Sequence, residues 1–200
     1  GEYRTALYYF QRMLEIASSS AMRTTAQLGV LRCSSLLNDK ENTIQAANHL
    51  LEDETITEEV RKEALYCRAK AHLKEQQYGL AVVDLTPLSK EVRTAMGAEA
   101  KYLLANAYFQ LGSVDLAEQE VMSFTQMQTS QQYWLAKSLI LLADINIQRN
   151  DIFQAKQYLL ALQTNYRQED DIQSIIVEKL VALEEMNINE EVNEIEEDTL

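Results

Sequence analysis

Apolar residues recur along this chain at intervals of three and four, the spacing that lines them up on one face of an α-helix. Short polar breaks divide the pattern, and it is clearest over residues 98–166. There a stripe of Leu104, Ala105 and Tyr108 leads into a break, and a second stripe follows at Leu116, Ala117, Val121 and Phe124. The same order returns at Leu142, Ala143 and Asn146, then at Phe153, Ala155, Leu159 and Leu162. Ala117 and Ala155 stand 38 residues apart, within the range of periods that marks stacked repeats.

Measured against that period, the rest of the chain resolves into helices. Residues 1–17, with Ala6, Phe10 and Met13 as their stripe, match the second helix of a unit and lack a first, which implies a parent chain extending further toward the N-terminus. Ser18 to Ser20 cap a helix over 22–37, and 43–52 is its shorter partner, carrying Ala46 and Leu50. Thr57 caps a helix reaching about residue 75, with Leu65, Ala69 and His72 on one face. Its return helix begins at Tyr78 and holds Ala81 and Leu85; Pro87 removes a backbone donor and restricts Thr86, so the helix is expected to end or kink there. Helices over 92–111, 114–128, 131–148 and 152–166 follow. A last helix over 170–186 carries Ile172, Ile175, Ile176, Leu180 and Leu183 on one side and serves as a cap, with Asp170 and Asp171 suiting its positive end. The acidic stretch 187–200 reads as a frayed or disordered tail, with extension of the last helix as its alternative. The fold class is all-α: a single array over 1–186, made of a half repeat (1–17), full repeats at about 21–53, 57–90, 92–128 and 131–166, and the capping helix.

The alanines Ala6, Ala46, Ala81, Ala117 and Ala155 set a common register, spaced 40, 35, 36 and 38 residues apart. Twelve residues before the last four lie small residues, Ser34, Ala69, Ala105 and Ala143, and four residues after them lie Leu50, Leu85, Val121 and Leu159. Small residues on facing helices allow close backbone approach, and the apolar residue fills the space beside them. This pattern resembles the tetratricopeptide repeat (TPR), with Leu37, His72, Tyr108 and Asn146 at the position where the family places a large residue. Departures are the missing Pro at the end of each unit, the absence of Gly at the eighth position, and Asp53 at a position expected to be apolar. Longer units and the phrases AKYLLANAYFQLG and YWLAKSLILLADI are similar to the large TPR proteins of the Bacteroidota cell envelope.

Composition narrows the picture. Five Gly and one Pro leave few turns for strands, and Ala, Leu, Gln and Glu favour helix. The net charge of -13 is concentrated at the end: residues 170–200 hold 11 acidic residues and one Lys, leaving 20 acidic and 17 basic residues before them. No clustered Lys and Arg supply the phosphate attraction that nucleic-acid binders use, which argues against DNA, RNA and anionic membranes as partners. No apolar run reaches the ~20 residues of a membrane span. Cys33 and Cys67 sit in apolar helical contexts without a CxxC or neighbouring His pair, so they read as small buried residues, a disulfide being allowed but not indicated.

Catalytic chemistry finds no constellation here. His49 and His72 stand alone on different helices, Glu118 and Glu120 read as carboxylates on a solvated face, and no Gly-rich phosphate loop occurs, so no enzyme activity, metal or cofactor is expected. The TPR resemblance implies instead a right-handed α-solenoid of antiparallel helix hairpins whose concave groove is lined by Leu31 and Ser35, then Tyr66, Lys70 and Leu73, then Tyr102, Asn106 and Phe109, and finally Ile140, Asp144 and Ile147. Such a groove suits an extended segment or a helix of a protein partner; the alternative is that its aromatics pack between repeats. The carboxylate clamp of the family's chaperone-binding members is absent, since Leu31, Tyr66, Tyr102 and Ile140 occupy the relevant positions. Trp134, beside Tyr133, reads as packing on the preceding helix more than as a surface anchor. The expected function is a non-catalytic scaffold holding a protein or peptide segment within a larger assembly, periplasmic or associated with the outer membrane, with a cytoplasmic site as the alternative. Two rivals stay open: a helical accessory region of an enzyme or transport complex, and self-association through the uncovered first helix. The acidic tail reads as solvating, with recruitment of a basic partner as its alternative.

Overall fold

Ten helices make up the computed structural model, which describes the backbone over residues 1–197 and side chains over 1–185. They are α1 (Glu2–Ile16), α2 (Ser20–Leu36), α3 (Lys40–Glu52), α4 (Glu58–Lys74), α5 (Tyr78–Leu88), α6 (Ala95–Gln110), α7 (Val114–Gln126), α8 (Gln132–Gln148), α9 (Ile152–Asn165) and α10 (Ile172–Glu197). No strand occurs among the described residues.

Local chemistry sets the helix starts. Side-chain oxygens of Ser19, Asp39, Thr57, Thr94 and Asp151 accept the backbone N–H groups of Met22, Asn42, Val60, Gly97 and Gln154 at 2.9–3.4 Å. Each such cap is worth about 1 kcal/mol. Two of them correct the expected boundaries. Asp39 caps α3 three residues earlier than the predicted start at 43. Thr94 starts α6 at Ala95, which leaves Val92 outside the helix, where it packs beside Ala98 and Phe124.

The helix expected to end or kink at Thr86 carries Pro87 inside and ends two residues further on, at Leu88. In the last turn the missing N–H costs a single bond, to the carbonyl of Val83, a residue that faces solvent. The final helix does not stop near residue 186 but runs to Glu197, through the stretch expected to be frayed. No Gly or Pro interrupts that stretch, and its Glu, Ile and Val residues cost a helix only tenths of a kcal/mol each. The remaining residues of the expected tail, 198–200, lie outside the described residues.

Four turns repeat one geometry. Asn38, Gln76, Gly112 and Asn150 follow α2, α4, α6 and α8 with φ of 59°, 57°, 74° and 61°, the left-handed conformation that closes helices. In each turn the N–H of that residue bonds a carbonyl three residues back, and the next N–H bonds one five residues back: Gln76 to Leu73 and Gln77 to His72, for example, at 3.0 and 2.9 Å. These four turns stand 38, 36 and 38 residues apart, so the period read from the alanines is also a period of the backbone.

Packing follows the order of the chain. Every helix contacts its neighbours in sequence, and the even-numbered helices also touch in series, α2 on α4, α4 on α6, α6 on α8 and α8 on α10. Among the described residues no helix reaches one more than two places away. The core is accordingly divided into five separate clusters along the chain. The register residues fill them: Ala46, Ala81, Ala117, Ala155, Ser34, Ala69, Ala105 and Ala143 are all at most 2% exposed, as are Leu50, Leu85, Val121 and Leu159. Ala6 is only partly covered. Asp53, the departure from the apolar pattern, lies just past α3 and turns the chain instead, accepting the hydroxyl and N–H of Thr55 at 2.6 and 2.9 Å. Those bonds, the hydroxyl's first, hold its carboxyl below the usual range.

Candidate functional site

The residues expected to line a groove lie on α2, α4, α6 and α8, the helices that touch in series. They do not all reach the surface. Leu31 is fully buried and Ile140 is 5% exposed, each inside a core cluster. Tyr66, Lys70, Leu73, Tyr102, Asn106, Phe109, Asp144 and Ile147 are partly buried, and Ser35 borders an open cavity of about 210 Å³ between α2 and α4.

The polar members of this set are tied to neighbouring helices. Tyr66 donates its hydroxyl proton to Glu99 of α6 at 2.5 Å, while Lys70 donates to the Tyr66 oxygen at 3.0 Å and to Glu99 at 2.9 Å. Burial, and then the hydrogen bond to Glu99, push the Tyr66 phenol up to about 12. For Lys70, burial acts downward, but the bonds to Tyr66 and Glu99 outweigh it and its ammonium is held above the usual value. Further along, Tyr102 stacks on Trp134 of α8 with centroids 5.7 Å apart and planes at 28°, and Lys137 lies 5.9 Å from the Tyr102 ring centre. Burial and, second, the charge of Asp144 raise the Tyr102 phenol. Asp144 itself pairs with Lys179 of α10. Asn106 makes no side-chain hydrogen bond among the described residues, which leaves it the unengaged amide of the set.

The apolar members of the set pack beside successive core clusters. Leu73 packs beside the cluster joining α4, α5 and α6. Phe109 and Tyr102 flank the one joining α6, α7 and α8, and Ile147 flanks the last. Trp134 belongs to the packing between α6 and α8, as its stacking on Tyr102 requires, and Tyr133 meets it edge-on at 4.9 Å.

Several charged residues outside the expected groove tie helices together, and Asp84 and Lys101 among them are buried. Arg68 of α4 donates from Nε and Nη2 to both oxygens of Asp84 on α5, at 2.8 and 2.6 Å, and from Nη1 to Asn48 of α3 at 2.6 Å, joining three helices. Asp84 is 2% exposed. The available signal was an Asp inside an otherwise apolar run, three residues past Ala81. Lys101, nearly buried, pairs with Glu120, and Arg149 pairs with Glu118 at 2.7 Å, with the Arg149 and Glu118 side chains 35% and 36% exposed. His72 is buried against Gln77 at 2.7 Å between ring Nδ1 and Oε1, while His49 is exposed near Glu52 on another helix. Both cysteines are free, and burial pushes both thiols up. Among the described residues, no group of three His, Cys, Asp or Glu side chains is placed to hold a metal ion, and no helix is long and apolar enough to cross a membrane. Neither protein-family models nor curated protein sequences give a match to this chain.

Proposed function

We propose that the chain is a TPR-like, right-handed α-solenoid of antiparallel hairpins that works as a non-catalytic scaffold, holding a segment of a protein partner along the face shared by its even-numbered helices. The series contact of α2, α4, α6, α8 and α10 carries this reading. A set of helices linked in series aligns equivalent side chains into one continuous strip, as repeat arrays do. Leu73, Phe109 and Ile147 supply partly buried apolar surface on that strip. Asn106 supplies an amide free to pair with a partner's backbone. The Tyr66–Lys70–Glu99 and Asp144–Lys179 links keep the strip rigid before binding, which lowers the ordering cost that a partner must overcome. A periplasmic or outer-membrane-associated assembly is the setting this reading carries, from the longer units and the phrases AKYLLANAYFQLG and YWLAKSLILLADI.

The test is selection of peptides from a random display library on the wild-type chain, followed by titration against variants. Loss of roughly tenfold or more in affinity on Asn106→Ala or Phe109→Ala is expected, with no change on Phe153→Ala, which is 73% exposed on α9. Binding that follows Phe153 and ignores Asn106 and Phe109 would refute the groove.

A further inference from the structure

We propose that the cavity between α2 and α4 seats an acidic side chain, Asp or Glu, of the partner segment held along the strip. This rests on the strip itself, since Ser35 and Lys70, two of its expected members, belong to the cavity wall. Three lysines line that wall, Lys40 from the first turn of α3 and Lys70 and Lys74 from α4, and no Asp or Glu does. Its volume of about 210 Å³ lies below the ~300 Å³ at which sites for whole small molecules begin, so it suits a side chain better than a free ligand.

The neighbouring charges leave one cation unmatched. Lys40 pairs with Glu75, just past α4, and Lys70 pairs with Glu99 of α6 at 2.9 Å. Lys74 is exposed and has no ion-pair partner among the described residues; it donates to the neutral amide oxygen of Asn38, in the turn after α2. Asp39, the acidic residue of that turn, accepts the backbone N–H and the side-chain amide of Asn42 at 3.1 and 2.7 Å, so its carboxylate is committed to the start of α3. Asn38 also lines the cavity and keeps its own N–H donors, so a carboxylate arriving at Lys74 finds a neutral donor beside the cation. With two of the three lysines already matched, a single negative charge balances the site.

The chain at large does not supply this attraction. Its net charge of -13 repels acidic segments, so a preference for Asp and Glu requires a local cationic site.

The test uses peptides selected from the random display library on the 200-residue chain. Those weakened by Asn106→Ala or Phe109→Ala report on the strip, and they should be enriched in Asp and Glu. The leading one is synthesised with an amidated C-terminus, so that side chains supply every carboxylate, and titrated by fluorescence anisotropy. Lys74→Gln, and replacement of one acidic residue of the peptide by its amide, should each weaken binding about fivefold, the upper range for a pair that stays partly solvated. Both changes together should cost no more than either alone. Lys90→Gln, in the turn after α5, should leave the affinity unchanged. Both lysines are exposed, so circular dichroism should show the variants folded. Strip-dependent peptides without enrichment in Asp and Glu, that tolerate Lys74→Gln, or that lose as much on Lys90→Gln would overturn this proposal and leave the strip standing. A library that yields no peptide dependent on Asn106 or Phe109 removes the strip, and this proposal with it.

Discussion

Arg68 and Asp84 offer the sharpest test of how the helices are held together. Substituting Arg68 by Ala strips both donors from a carboxylate that is 2% exposed and removes the partner of Asn48 Oδ1 as well. Breaking a buried pair from one side costs about 3–5 kcal/mol, because the remaining charge keeps its desolvation penalty. The two ends of this pair differ in that respect. The Arg68 side chain is 22% exposed and keeps its bond to Asn48 when Asp84 is lost. Asp84→Ala should therefore cost about 3 kcal/mol, and Arg68→Ala about 4–5 kcal/mol. A joint change, Arg68→Met with Asp84→Leu, removes both charges and replaces them with apolar volume, so it should cost less than either single change. Urea unfolding followed by far-UV circular dichroism gives the stabilities. Hydrogen exchange in α4 and α5 shows whether the loss is local, as packing only between neighbours implies. An Arg68→Ala cost below about 1 kcal/mol, or a joint variant weaker than both single ones, would refute this account of the pair.

Other consequences follow from particular positions. Gln76 holds φ at 57° where Gly112 holds 74° in the equivalent turn; Gln76→Gly should raise stability by about 1 kcal/mol in the same urea experiment, since a side chain in that conformation is strained. At Gly97 an added Cβ would lie 2.2 Å from the Glu91 carbonyl oxygen, a backbone atom, so Gly97→Ala should cost about 2–3 kcal/mol and loosen α6 from the turn before it. The Tyr66 phenol, ordinarily near 10.0, is raised to about 12. A group raised on folding contributes its full stability below the unfolded value and loses it as pH climbs through the folded one. The stability gap between wild type and Tyr66→Phe should therefore be constant up to pH 10 and narrow from there to about pH 12. Burial raises both thiols, so Cys33 and Cys67 in the folded chain should react with a thiol reagent at pH 8 roughly tenfold or more slowly than after denaturation.

The sequence by itself determined the helices and their register. The stripes and the alanine spacing are properties of short stretches, and a period near 3.6 commits a stretch to a helix and names its inner face before any partner is known. That is why Ala81, Ala117 and Ala155 proved fully buried, and why one turn geometry recurs at the breaks between the stripes. The boundaries that missed, at Asp39, Thr94, Leu88 and Glu197, depended on single caps and on one proline's place in its turn. Only the tertiary structure decided which side chains of the expected groove are engaged. Glu99 meets Tyr66 and Lys70 across 33 and 29 residues of chain, and Tyr102 meets Trp134 across the next step of the array. The closeness of Gly97 to Glu91 and the burial of Asp84 under Arg68 arise in the same way. These contacts depend on how one helix lies on the next, and a hydrophobic period carries no information about which polar groups that juxtaposition brings within hydrogen-bonding distance.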